Sequence, residues 1–270
     1  MKNSVYVRME LQDGTNKLAD ALKLRGFSVA MEGELIKLVN GSEKDAAELK
    51  YFLEELNIPV FWLNDNKFQL LVNRLPSQLI KKIIHYKGRN HHYFIEGYQF
   101  KWRSFVTRRY GIRTNTLDLC PYTAILVKAL NEAGIVTVSG CNGHQHHAPN
   151  LQFSGIYYGI WFSIIQEKYL KNLSLYYDWQ VEILAGGKTS GLIAHKRDTA
   201  NWDRIKILAD CEKMAYTLQK HARDIRHLKR SCFKRKMKDK AESFRETFDW
   251  EKLSEWMKDI VEKHMRDKVS

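Results

Sequence analysis

The stretch "VSGCNGHQHHAPN", residues 138–150, sets one cysteine and three histidines among small residues. Thiolate and imidazole are the side chains that bind borderline-soft metal ions, and Cys141-x-x-His144 has the short spacing of a chelating pair. Cys120, His146 or His147 are the candidates to complete a tetrahedral set, with zinc as the candidate ion. A second chemistry is anion or ligand binding. Gly140 and Gly143 let backbone approach a ligand, so Ser139, Cys141, Asn142, Gly143 and His144, joined by Asp118 and Cys120, also read as a pocket at a helix N-terminus. A third is nucleophilic: Cys120 at such a terminus would be a thiolate, with histidine as its base. Against these stands a plain turn with surface histidines.

The neighbouring elements decide whether these residues can meet. In "LDLCPYTAILVKALNEAG" Pro121 fits a first helical turn, which makes Cys120 the expected N-cap and leaves Asp118 just outside. Ile125, Leu126, Ala129 and Leu130 form a buried stripe, and Gly134 is the stop. "IVTVS" and "NLQFS" read as strands on either side of the loop. A helix over 121–133 is roughly 20 Å long at about 1.5 Å per residue. The strand over 135–141 runs back roughly 23 Å at about 3.3 Å per residue. Packed antiparallel, they return Cys141 to the level of Cys120, with Asp118 and His144 in the same neighbourhood.

Upstream, residues 4–10 alternate as a strand, and "DGTNKLADALKLRG" reads as an amphipathic helix stopped by Gly26. "FSVAMEGELIKLVNG" is a hairpin about "EGE". "SEKDAAELKYFLEELN" is a helix capped by Ser42, and "IPVFWLNDNKFQLLVN" a hairpin turning at "NDN". The helix-hairpin unit occurs twice, which predicts a weak internal duplication with two helices on one face of an antiparallel sheet. Phe61 and Trp62 are the aromatic pair on that sheet, without an RNA-binding sheet motif. The next helix opens near Pro76 and leaves this module towards His91 and His92.

The chain has 270 residues, 44% hydrophobic, and a formal charge of +13, which favours polyanionic partners. Four scattered cysteines argue for thiols in a reducing cytoplasm rather than a disulfide scaffold. No apolar run has the length of a membrane span or a signal peptide. Two segments concentrate the charge. Residues 98–113 interleave Tyr98, Phe100, Trp102, Phe105 and Tyr110 with Lys101, Arg103, Arg108, Arg109 and Arg113, the composition of a nucleic-acid groove. Residues 196–245 hold 16 Lys and Arg against 7 Asp and Glu. An apolar stripe from Trp202 to Cys232 predicts one long helix there. Its projecting end presents Arg223, Arg226, Lys229, Arg230, Lys234, Arg235 and Lys236 to phosphates. "FDWEKLSEWMKDIVEKHM" closes the chain as an amphipathic helix that packs on the body or on a sister subunit.

Four short stretches resemble known signatures and depart from each. "GIYYGIW" is similar to the GIY-YIG nuclease signature, with its two halves fused instead of on separate strands. "HHAPN" resembles the core of HNH nucleases without their later His or Asn. "DWQVEILAGGK" resembles a restriction-type site without its E-x-K step. "TVSGCNGH" is similar to a loop of wybutosine-synthesis methyltransferases, departing at Gly140, Asn142 and His144.

The reading is an intracellular, cytoplasmic α+β protein. Residues 1–75 form a small antiparallel sheet with two packed helices. Residues 76–200 form a larger mixed α/β domain carrying the Cys/His loop, and residues 201–270 form C-terminal helices packing on it, among them the long basic helix. The expected function is nucleic-acid binding, RNA ahead of DNA, with the loop as the specific ligand or metal site. One alternative is a protein-interaction or inhibitory factor docking its basic helix on an acidic partner. Another is a small enzyme or nucleotide or anion binder using Asp118, Cys120, Cys141 and His144. No membrane partner is expected, and helices 201–232 and 249–265 are the candidate oligomer faces.

Overall fold

The computed structural model describes residues 13–39, 44–88, 101–184 and 189–267. The expected strand at 4–10, the Ser42 cap, Tyr98, Phe100 and the histidines at 91 and 92 lie outside the described residues.

The chain is α+β. Helix α1 (Gly14–Arg25) is capped by the Asp13 carboxylate and ended by Gly26 at φ +111°. It leads into β1 (Val29–Glu32), β2 (Leu35–Leu38), α2 (Asp45–Glu55), β3 (Val60–Asn64), β4 (Lys67–Leu70) and α3 (Ser77–His85). After α4 (Trp102–Thr107) the same order returns: α5 (Ala124–Glu132), β5 (Thr137–Cys141), β6 (Asn150–Phe153), α6 (Ile156–Ile165), β7 (Asp178–Ile183), β8 (Ser190–His195) and α7 (Arg204–Lys220). Both four-stranded sheets are antiparallel and share one strand order, β1-β2-β4-β3 and β5-β6-β8-β7. The helix-hairpin duplication expected near the N-terminus is therefore half of a larger repeat. The later part is α+β too, with helices packed on an antiparallel sheet.

Each sheet buries alternate residues against helices, as a period of two requires. Ile36, Phe68 and Leu70 point inward in the first sheet, and Leu151, Phe153, Leu192 and Ala194 in the second. The other set stays partly exposed: Lys37, Lys67 and Gln69 in one sheet, Ser139, Cys141, Asn150 and Gln152 in the other.

The two repeats meet where α1 crosses α5. A Cβ on Gly26 would come within 2.7 Å of the Ala124 Cβ, so this approach needs glycine. Buried polar ties fix the contact. The fully buried Arg25 guanidinium donates to the carbonyls of Tyr86 (2.7 Å), Thr116 (3.1 Å) and Leu119 (3.2 Å). Desolvation is the first cost of burying that charge, and it lowers the Arg25 pKa to about 10. Asp45 accepts from the Thr116 N–H at 2.7 Å and pairs with Lys128 at 3.0 Å, while Lys128 also donates to the Thr114 carbonyl. Residues 114–119, which lead into Cys120, are thus held from both repeats.

The expected single helix over 202–232 is two, α7 and α8 (Ala222–Cys232), joined at His221, whose ψ of 7° is not helical and whose ring packs on Tyr169. The basic end does not project as a continuous helix. Phe233 ends α8 with extended torsions and inserts among Trp102, Phe105 and Trp161. A short 3-10 turn at Arg235–Met237 follows, then α9 (Lys238–Glu246) and α10 (Trp250–Arg266). The apolar stripes expected to serve an oligomer are covered within the chain: α7 packs on α5, and α10 on α8 and α6. No helix among the described residues is long and apolar enough to cross a membrane.

Candidate functional site

Two features carry chemistry: a Cys/His cluster at the end of β5 and a basic surface around α4 and α8.

The cluster forms as the element lengths require. Ligand atoms of Cys120, Cys141 and His144 all lie within 4.8 Å of one another. Cys120 is buried and Cys141 half-buried, and all four cysteines are free thiols. The route differs from the expected one in a local way. The helix begins at Ala124 rather than Pro121, because Tyr122 takes a left-handed φ of +74° and residues 120–123 form a turn. Cys120 is therefore not an N-cap.

Asn142 builds the loop. Its Nδ2 donates to the Pro121 carbonyl at 3.0 Å, tying the loop to the Cys120 turn. Its Oδ1 accepts from the His144 N–H at 2.9 Å. Gly143, His144 and Gln145 then take left-handed torsions in succession, φ +73°, +49° and +69°. Such torsions are uncommon for the latter two residue types. Gly143 is required, because a Cβ there would meet the Ala148 carbonyl carbon and the Pro149 nitrogen at 3.1 Å. The N–H groups of His146 and His147 both donate to the Gly143 carbonyl at 2.9 Å and close the loop. Ser139, two residues before Cys141 on the same sheet face, donates to Gln152 at 3.2 Å.

The two thiols share their protons unequally. The Cys141 pKa is lowered, first by a hydrogen bond from Cys120, then by the Gly143 N–H at 3.3 Å and by His144. The Cys120 pKa is raised, because it donates to Cys141 and is buried. The lower of the two pKa values belongs to Cys141 and the higher to Cys120, where the nucleophile reading expected a lowered Cys120.

Three expected members stand apart. Asp118 accepts from Asn115 Nδ2 at 3.1 Å and faces Glu48, whose pKa burial and Asp118 both raise. His146 and His147 are exposed and lie outside the cluster. "GIYYGIW" forms part of the buried helix α6, where it packs the core.

The basic surface joins segments over a hundred residues apart in sequence. Trp102 Nε1 donates to the Lys234 carbonyl at 3.0 Å, and Lys229 Nζ to the Arg108 carbonyl at 3.0 Å. Arg226 stacks on the Tyr110 ring at 4.7 Å and donates to the Glu132 carbonyl. Around these links Lys101, Arg103, Arg109, Arg113, Arg223, Arg230, Lys234, Arg235, Lys236, Lys238 and Lys240 are all exposed. Among the described residues Lys238 alone of this set has a carboxylate partner, Glu242 at 3.8 Å. A cavity of about 300 Å³ opens among Tyr110, Arg113, Lys128, Asn131, Glu132 and Arg226.

Three members of the expected phosphate-binding set have other work. Lys229 lies on the inward face of α8 with Ile225 and Cys232, fully buried, and caps the carbonyls of Arg108 and Gly134. Arg226 is half-buried under its two contacts, and Arg108 is half-buried with its Nε on the Tyr110 carbonyl. Trp102 and Phe105 fill the core and cannot stack on bases, which leaves Tyr110, 54% exposed, as the accessible ring of the described part of that segment. The alternation of rings and cations thus reflects an inside and an outside. A lysine in a basic run reads as surface, which hides Lys229 as a core residue. Its spacing of four from Ile225 is the signal that reveals it.

Fold and sites define an α+β protein of two like halves, with a paired-thiol and imidazole cluster on one sheet and a basic face formed by helices. Comparison of the chain with family models, with curated proteins and with solved structures finds no match.

Proposed function

We propose that the protein binds nucleic acid, RNA ahead of DNA, through the surface of Lys101, Arg103, Arg109, Arg113, Arg223, Arg230, Lys234, Arg235 and Lys236. The observation that supports this reading best is the convergence of two basic segments, distant in sequence, into one surface whose cations lack carboxylate partners among the described residues. Unpaired cations held on a rigid body repel one another, and a phosphate backbone relieves that repulsion with release of counterions. Tyr110 beside Arg113 and Arg226 offers a ring for a base at the edge of the cavity.

Fluorescence anisotropy with labelled single-stranded RNA, duplex RNA and duplex DNA tests the reading. The expected result is micromolar or tighter binding at low salt that weakens by about 10-fold or more between 50 and 200 mM salt. Binding that is absent, or insensitive to salt, overturns it. A stable complex with an acidic protein recovered after nuclease treatment, with no nucleic-acid binding, favours the docking-factor alternative.

A further inference from the structure

We propose that Cys120, Cys141 and His144 form a zinc-binding centre with one open coordination position. It goes beyond the nucleic-acid reading and does not depend on it. The ligand atoms come from three places, the turn before α5, the last residue of β5 and the loop after it, and lie within 4.8 Å of one another. Four-coordinate zinc has bonds of about 2.3 Å to sulfur and about 2.0 Å to nitrogen, so closing the set takes shifts on the order of an ångström. Two sulfurs and one imidazole nitrogen select zinc and similar ions over magnesium or calcium.

The set is shaped before any ion arrives. Asn142 joins the loop to the Cys120 turn through Pro121 and fixes the His144 backbone at the same time. Three successive left-handed residues give the loop one course, and His144 is the middle one. When the ion binds, it exchanges three of its waters for the two sulfurs and the imidazole, and the protons that the two thiols carry pass to solvent.

The described residues supply three ligands. Among the described residues no fourth Cys, His, Asp or Glu atom joins the group. Three protein ligands and a water is the arrangement of zinc sites that act on a bound molecule, whereas structural sites close with four. Cys141 and His144 are partly exposed and Cys120 is buried, so the free position lies on the solvent side, on the face shared with Ser139 and Gln152. A hydrogen-bonding ligand atom there would sit beside that amide and hydroxyl.

Cobalt(II) titration of the full chain, with zinc competition, is the test. The expected result is one ion per chain, a thiolate-to-cobalt charge-transfer band, and visible bands of four-coordinate intensity that zinc abolishes. Cys141→Ser and His144→Ala should each weaken binding more than about 100-fold, beyond the loss typical of a change outside the ligand set. His146→Ala and His147→Ala should leave it unchanged. Both ligand variants alter partly exposed side chains, and thermal unfolding of the metal-free proteins checks that they fold. Zinc should also protect Cys141 of the unaltered protein from alkylation, a readout that needs no variant. Absence of the charge-transfer band, or ligand variants with unaltered affinity, overturns the centre. Imidazole added to the cobalt-loaded protein should shift the visible bands, and an unmoved spectrum overturns the open position.

Discussion

Asn142 is a small residue with two tasks, and both concern where its neighbours point. Its amide holds the Pro121 carbonyl and the His144 N–H, so Asn142→Ala leaves two buried or half-buried groups without their partners. The expected outcome is a loss of about 1–3 kcal/mol in urea unfolding. Metal affinity should fall by about 10–100-fold with all three ligands still present. A variant with unaltered cobalt affinity would show that the loop keeps its course without the clamp. At this scale much was legible. The spacing Cys141-x-x-His144 and the lengths of helix and strand brought three of the four expected residues together. Asp118 was misplaced because residues 115–118 are governed by contacts with α2 and Arg25, from a part of the chain over sixty residues away, which local spacing does not encode.

Helix α8 shows how an element can look exposed in sequence and be half core. Lys229 is buried among Phe105 and Tyr158, and burial together with Arg108 lowers its pKa to about 7. An unfolded lysine titrates near 10.4. Between these values the unfolded chain holds a proton the folded chain has lost, so the Lys229 contribution makes folding more favourable as pH rises from about 7 towards 10. The slope is at most ~1.4 kcal/mol per pH unit. Lys229→Met should flatten that part of the profile, read as the difference between the two proteins in denaturant unfolding at pH 7, 8 and 9. Parallel profiles would refute a neutralised lysine. The Asp210 carboxylate in α7 accepts from the N–H groups of Tyr176 and Tyr177 and from Trp179 Nε1, pinning α7 to the start of β7. Asp210→Ala strands these donors and should cost about 3 kcal/mol in thermal or urea unfolding. A change under about 0.5 kcal/mol, typical of a surface substitution, would contradict that role. Helix periodicity was legible here, and so were the β1–β2 and β3–β4 hairpins. The breaks at His221 and Phe233 were not, since each depends on an aromatic partner from elsewhere in the chain.

At the scale of the whole molecule, two halves with one strand order meet across α1 and α5, and the join is polar as well as apolar. Arg25 binds the Tyr86 carbonyl of its own half and the Thr116 and Leu119 carbonyls at the join, so its role reaches the Cys120 turn. The likeness of the first two helix-hairpin units shows weakly in the sequence. The second pair is hidden there, because β5–β8 carry different loops and the long segment 71–123 intervenes. The basic surface is likewise a product of the fold, formed where α4 and the 108–113 segment meet α8. The most direct test of nucleic-acid binding is the salt dependence of Arg230→Gln/Arg235→Gln/Lys236→Gln, three exposed cations outside the core. Each phosphate left without its cation should lower the slope of log affinity against log salt by about 0.7–0.9, so the triple variant should fall about two to three units below the unaltered protein. Lys37→Gln/Lys67→Gln, on the first sheet where both lysines pair with Glu32, should keep the original slope. A triple variant that binds RNA with unchanged affinity and unchanged slope would contradict the assignment of this surface.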